Sequence, residues 1–296
     1  MTASYWKYLA TLLLTTGLSI PAFSQPTTSS LLWKIEGKGL EQPSYIFGTV
    51  HMLKRADYRL SQEVLQLMAE SEAVYMEVDL DNLEALSELA QLLTLPPGTT
   101  LLDYMTEEEY TIIKNYLEDS LNVNIREFEI LKPFALQQAF TANTAGEDLV
   151  SYEMELMSWC YNNSKTIEGI ETVAEQMAIF DQIPYEEQID WVLDFIENPD
   201  VNEGLFDSIV YHYRESDLDG LYKDLLDSSP EIMVYEPLFI SDRNKRWIPR
   251  MEAIMQKGTY FFAVGAGHLP GESGVLELLK ASGYTVQPVI QTYIND

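Results

Sequence analysis

Short apolar runs bounded by turn residues gather towards the two ends of this chain, and segments of helical spacing fill the stretch between. Residues 31–36 and 44–47 read as consecutive strands, with Gly37-Lys38-Gly39 and Gln42-Pro43 as turn material, so the pair predicts a hairpin. Ser61 ahead of Val64, Leu65, Leu67 and Met68 marks the N-cap of a helix. Residues 73–79 return to a strand, and alternation there puts Tyr75, Glu77 and Asp79 on one face. Two carboxylates on an otherwise apolar strand are not core residues by accident. From 82 to about 138 the spacing is helical, broken at Pro96-Pro97-Gly98, and Thr106 to Glu109 matches a capping box for a helix running to Leu117. Further helices are expected over 153–161, 173–182, 186–196, 205–213, 218–226, 241–255 and 275–281, the last capped by Gly283. Strands are expected over 165–169, 260–264 and 284–290. The pattern predicts an α/β fold with a large helical insertion over about 82–165, built as a single domain over 25–296.

The first 24 residues describe a destination. One positive charge at Lys7, an apolar run over 8–20 and small residues around Ala22-Phe23-Ser24 predict a cleavable signal peptide. A run of about 13 apolar residues is too short to span a bilayer comfortably. The mature chain is therefore expected to be exported, periplasmic or secreted, with no stable membrane insertion. Acidic residues outnumber basic ones 47 to 18, for a net charge of −29, which repels phosphate backbones and anionic headgroups and argues against nucleic acid as a partner. The single cysteine, Cys160, rules out an internal disulfide and a Cys-rich zinc cluster, and its helical setting reads as a buried thiol. Nothing in the pattern bears on oligomeric state.

The candidate chemistry starts from three histidines. Two of them close matching Gly-x-x-His motifs, Gly48-Thr49-Val50-His51 and Gly265-Ala266-Gly267-His268, each just beyond a strand-like run. The third, His212, reads as a helix-surface residue. Two imidazoles with the Glu77 carboxylate make a ligand set that suits Zn, Mn, Fe or Co and leaves positions open for water and substrate. A metal held so acidifies bound water and polarises a carbonyl, which makes hydrolysis the natural reaction. Asp79 is a candidate fourth ligand or a candidate group to orient an imidazole. Glu171, at the end of the 165–169 strand, is a candidate general base or further ligand. Arg243 is a candidate to hold a substrate carboxylate or developing negative charge, with Asn244 as a hydrogen-bond donor, and its helical setting leaves the direction of its side chain open. The chain has no His-Glu-x-x-His, no Gly-x-Ser-x-Gly and no P-loop, and Gly265-Ala266-Gly267 lacks the third glycine of a dinucleotide loop.

Leu32-Trp33-Lys34-Ile35, the run Tyr45 to His51, Gly169-Ile170-Glu171-Thr172 with Gln176, Arg243-Asn244 and the run Val264 to Gly271 occur in that order. With them the chain, from about 31 to 289, resembles the TraB/GumN family, which includes the TIKI metalloproteases and the pheromone-shutdown proteins. The resemblance implies a mixed β-sheet core flanked by helices, similar to the erythromycin esterase and haem-uptake ChaN groups. It also implies a divalent-metal-dependent peptidase activity that needs both Gly-x-x-His motifs and a glutamate, here His51, His268 and Glu77. The expected function is thus an exported hydrolase using Zn, Mn or Co on a peptide or other small substrate. The same ligands leave open a non-catalytic protein that sequesters a peptide or a metal-containing ligand. If one ion is shared, the rings of His51 and His268 should stand roughly 3 to 5 Å apart beside Glu77.

Overall fold

The structure, a computed structural model, describes residues 30–81, 83–144, 148–227 and 230–293. The expected signal peptide at 1–24 lies outside the described residues. The strands are β1 (Leu32–Gly37), β2 (Ser44–Thr49), β3 (Leu53–Lys54), β4 (Ala73–Met76), β5 (Leu149–Val150), β6 (Thr166–Gly169), β7 (Tyr260–Gly265) and β8 (Tyr284–Pro288). Six of them form one mixed sheet in the order β6-β4-β7-β2-β1-β8, flanked by helices. β6, β4, β7 and β2 run parallel, while β1 is antiparallel to both β2 and β8. The hairpin of β1 and β2 is present, with Leu32 opposite Phe47.

The parallel strands at the centre are covered on both faces, which is why they read as unbroken apolar runs. Phe261, Phe262, Ala263 and Val264 of β7 are all buried, as are Ile46 and Phe47 of β2. Helices close over them through apolar stripes: Val64 and Met68 from Gln62–Glu70, and Trp247, Met251 and Met255 from Asp242–Met255. Local signals set the helix starts. Ser61 accepts the Val64 N–H, and Thr106 and Glu109 exchange hydrogen bonds as a capping box. A second capping box joins Thr172 and Glu175 at the head of Val173–Phe180.

Two expectations are corrected, and one element is added to them. β4 ends at Met76, so Glu77 and Asp79 lie past the strand end and do not alternate along a sheet face. The stretch from 82 to 138 is not continuous helix: Leu83–Leu92, Glu107–Asn115 and Pro133–Thr144 are separated by loops tied by a bridge from Thr94 to Leu131. These loops and helices bury Leu101, Ile113, Leu117, Leu136 and Phe140 against Ile189 and Val192 of Tyr185–Glu197. Finally, β3 and β5 pair as a small antiparallel ribbon too short to leave a period in the sequence. β5 and the helix after it, Tyr152–Asn162, pack into the main core through Val150, Tyr152, Leu156 and Cys160. No helix among the described residues is long and apolar enough to cross a membrane.

Candidate active site

Ligands of open α/β sheets bind in the crevice outside the carboxyl ends of the parallel strands, and the predicted chemistry collects at that edge. His51 follows β2, Glu77 follows β4, Glu171 follows β6 and His268 follows β7. β2 and β7 are neighbours, with Gly48 opposite Val264 and Thr49 opposite Gly265, so the two Gly-x-x-His motifs leave the sheet side by side. The glycines are what let them do so. A Cβ on Gly48 would sit 2.8 Å from Leu269 Cδ1 and 3.1 Å from the Ala266 Cα. A Cβ on Gly265 would stand 3.2 Å from Glu77 Oε1, the oxygen that accepts the Gly265 N–H at 2.9 Å.

The helix Asp242–Met255 aims its first turn into this edge. It follows a π-helical turn, Pro237–Ser241, an irregularity found often at functional sites. Arg243, which the sequence left without a direction, points inward and is 6% exposed. Its Nε and Nη2 donate to Glu171 Oε1 at 3.0 and 2.6 Å, and Nη2 also donates to Glu77 Oε2 at 2.5 Å. Nη1 donates to the Phe239 carbonyl at 3.0 Å and stands 3.1 Å from His268 Nε2. All five guanidinium N–H groups are thereby engaged by the protein, which leaves none over for a substrate carboxylate. Glu171 is equally enclosed, its second oxygen accepting the Trp247 indole N–H at 3.0 Å.

The tautomer of His268 follows from Asn244. The Asn244 amide nitrogen donates to two carbonyls that can only accept, those of His268 and Ser273, so Oδ1 faces His268 Nδ1 at 2.6 Å. Nδ1 therefore carries the hydrogen and Nε2 presents a lone pair to Arg243. Asn244 thus donates to backbone and orients the imidazole; no donor of it points to a substrate. Trp247 lies against the same ring at 4.4 Å between centroids. Burial pushes the His268 pKa down to about 3, with Glu77 opposing and Arg243 adding, so the ring is neutral. Burial also resists ionisation of Glu77, but Arg243, with the Gly265 N–H, outweighs it and holds its carboxyl at about 2.

Two further expected residues, His51 and Asp79, follow the ends of β2 and β4 at the same edge of the sheet. The His51 side chain is 76% exposed, with Nδ1 at 3.4 Å from Glu153 Oε2, and Glu153, with a smaller part from Glu77, raises its pKa. Asp79 accepts the Asp81 N–H and lines, with Glu84, Glu88, Glu168 and Arg250, an open cleft of about 830 Å³ that reaches Glu171. His212 bridges Asp217 and Asp224, which ties its helix to the next one. Gln176, Trp247 and Glu153 complete the arrangement without having been assigned a role from sequence. Gln176 donates to Glu77 Oε2 at 3.1 Å. Trp247 was within reach of a helical reading, because it falls one turn after Arg243; nothing local marks Glu153.

Among the described residues no three or more His, Cys, Asp or Glu side chains stand together as a ready ligand set. What the strand ends bring together is a pair, Glu77 Oε1 and His268 Nε2, 3.7 Å apart. The chemistry of that pair fits a divalent cation: an ionised carboxylate, and a neutral imidazole whose other nitrogen is tied down. Their separation is one that two ligands of a single ion, with bonds of about 2.0 to 2.2 Å, can span.

Known proteins are similar over nearly the whole chain. Metalloprotease TIKI1 of Danio rerio is 23% identical over 89% of this chain, metalloprotease TIKI2 of Xenopus tropicalis 24% over 91%, and metalloprotease TIKI1 of Homo sapiens 24% over 89%. The similar region spans 64%, 62% and 62% of those three proteins, less than two thirds of their length. No solved structure matches. The model of the TraB/PrgY/gumN family matches residues 31–288, which takes in every strand of the sheet and both Gly-x-x-His motifs, and the chain belongs to that family.

Proposed function

We propose that this protein is an exported, divalent-metal-dependent hydrolase acting on peptides at the carboxyl edge of the parallel strands. The observation that carries the reading is the Glu77 and His268 pair, held 3.7 Å apart in the charge states that metal ligands need. The similarity to proteins named metalloproteases supports it. Glu77 and His268 would hold the ion with His51 as third donor, and a bound Zn, Mn or Co would supply a polarised carbonyl and an acidified water.

The rest is done by the chain's own groups. Arg243 balances Glu77 and Glu171, so that two acids coexist beside the substrate position. Glu171 and Trp247 fix Arg243, and Asn244 keeps the His268 hydrogen on Nδ1. These are positioning roles for Glu171, Arg243 and Asn244. Asp79, in the adjoining acidic cleft, lies where a peptide would enter.

The test is to strip the mature protein of metal, reload it with Zn, Mn or Co, and follow a diverse peptide mixture by mass spectrometry. Cleavage that disappears in His268→Ala and Glu77→Gln, with circular dichroism unchanged, is the expected result. Wild-type protein that neither binds metal nor cuts any peptide would refute the proposal, and retention of an intact peptide would favour sequestration. Export is checked separately, by sequencing the N-terminus of the secreted chain for a cut near Ser24.

A further inference from the structure

The first Gly-x-x-His motif is held by an acid from elsewhere in the chain. Thr49 Oγ1 donates to Glu153 Oε1 at 2.7 Å, His51 Nδ1 stands 3.4 Å from Glu153 Oε2, and Ser151 Oγ donates to that same oxygen at 2.9 Å. Thr49 is 2% exposed, so one end of this carboxylate is fixed on a buried strand terminus. That separates it from an exposed ion pair free to wander, which would be worth little. The ribbon of β3 and β5 brings the two partners together. β3 follows the motif directly, β5 precedes Ser151, and Leu53 pairs with Val150 while the Arg55 N–H donates to the Asp148 carbonyl at 2.8 Å. Tyr213 adds a third tie through its hydroxyl, which donates to the Gly48 carbonyl at 2.9 Å.

We propose that Glu153 is the positioning residue of His51: its carboxylate keeps the ring hydrogen on Nδ1 and leaves Nε2 as the nitrogen with a lone pair. An ionised carboxylate only accepts, so the nitrogen facing it must be the one that donates. The second motif has the matching device, in which the Asn244 side-chain oxygen holds Nδ1 of His268. In each motif Nδ1 thus faces an oxygen from a helix outside the motif, at 2.6 Å for His268 and 3.4 Å for His51, the arrangement that orients imidazoles at metal sites. An imidazole exposed to the extent of His51 would otherwise turn freely, and in water it favours the hydrogen on Nε2. The inference rests on the proposed part of His51 in the site.

The test uses the mature protein, metal-free and with labelled histidine, at a pH where the rings are neutral. Long-range ¹H–¹⁵N spectra then report three ring systems, one per histidine. Wild type should show His51 and His268 both with the hydrogen on Nδ1. Glu153→Ala should move His51 alone to the Nε2–H form, with His268 unmoved as the control for an intact fold, and Glu153→Gln should restore the Nδ1–H form through its amide oxygen. On the peptide mixture, Glu153→Ala should lower kcat about 10- to 100-fold with KM little changed, and Glu153→Gln should recover part of that loss. A wild-type His51 already in the Nε2–H form, or a Glu153→Ala spectrum and turnover equal to wild type beside an inactive His51→Ala, would overturn the inference alone. Full cleavage by His51→Ala would remove His51 from the site, and the inference with it.

Discussion

Arg243 Nη1 stands 3.1 Å from His268 Nε2, on the nitrogen whose lone pair a metal ion would also need. With its hydrogen on Nδ1 the ring has one such lone pair, so guanidinium and ion are alternatives there. Arg243→Lys keeps a cation between the two carboxylates but loses the planar fork that reaches His268. Zn or Co should therefore bind the Lys variant about 10-fold more tightly than wild type, a difference of about 1.4 kcal/mol and of the size of one net hydrogen bond. Equilibrium dialysis measures it, and equal affinities would mean that the two cations do not share the nitrogen.

The same guanidinium is the counter-ion of two acids, the buried Glu171 and the partly buried Glu77. Glu171 is 4% exposed and Arg243 6%, so Arg243→Met leaves buried charge without its counter-ion. The expected loss is about 3 to 5 kcal/mol, read as a lowered urea midpoint. Glu171→Gln on the Met background should recover part of it, because one of the stranded charges is then gone. A double variant less stable than Arg243→Met would contradict this account.

Acid should begin to destabilise the metal-free protein well above the carboxylate range. The folded His268 pKa is about 3 against an ordinary 6.5, so between those values the unfolded chain takes up a proton that the fold refuses. Its contribution is complete above 6.5 and is lost as pH falls towards 3, at about 1.4 kcal/mol per pH unit for each proton. Glu77, at about 2 against 4.5, adds a second loss as pH falls from 4.5 towards 2. His51 runs the other way, since its raised pKa makes the fold gain as pH falls through it. His268→Gln isolates the first effect. Urea midpoints between pH 6.5 and 4.5 should slope in wild type and flatten in the variant.

Strands and caps were legible because each has a short-range cause. Continuous apolar runs marked β2 and β7, and Ser61 and Thr106 marked helix starts, since a cap is a contact three residues long. Both histidine motifs and Glu77 were visible as chemistry placed beside strand-like runs. What pins them was not. Glu153 meets Thr49 across 104 residues, and Arg243 meets Glu77 across 166, so those pairings exist only once the sheet has ordered its strands. The face shared by Glu77 and Asp79 failed for a related reason. β4 stops at Met76, and beyond it the chain turns the Glu77 carboxylate towards Gly265 and Arg243 while Asp79 goes to the cleft.

Gly48 is where the two motifs test each other's packing. Its missing Cβ is the space that Leu269 Cδ1 and Ala266 fill from the second motif. Leu269 is fully buried, so it has little freedom to retreat. Gly48→Ala should cost about 1 to 3 kcal/mol as overpacking, visible as a lower Tm, and should weaken metal binding because it pushes the two motif loops apart. Leu269→Ala alone should cost about 2 to 5 kcal/mol by leaving a cavity. Combined, the two changes should cost less than their sum by about 0.5 kcal/mol or more, because the new methyl occupies part of that cavity. Strict additivity would show that Leu269 does not limit the space at Gly48.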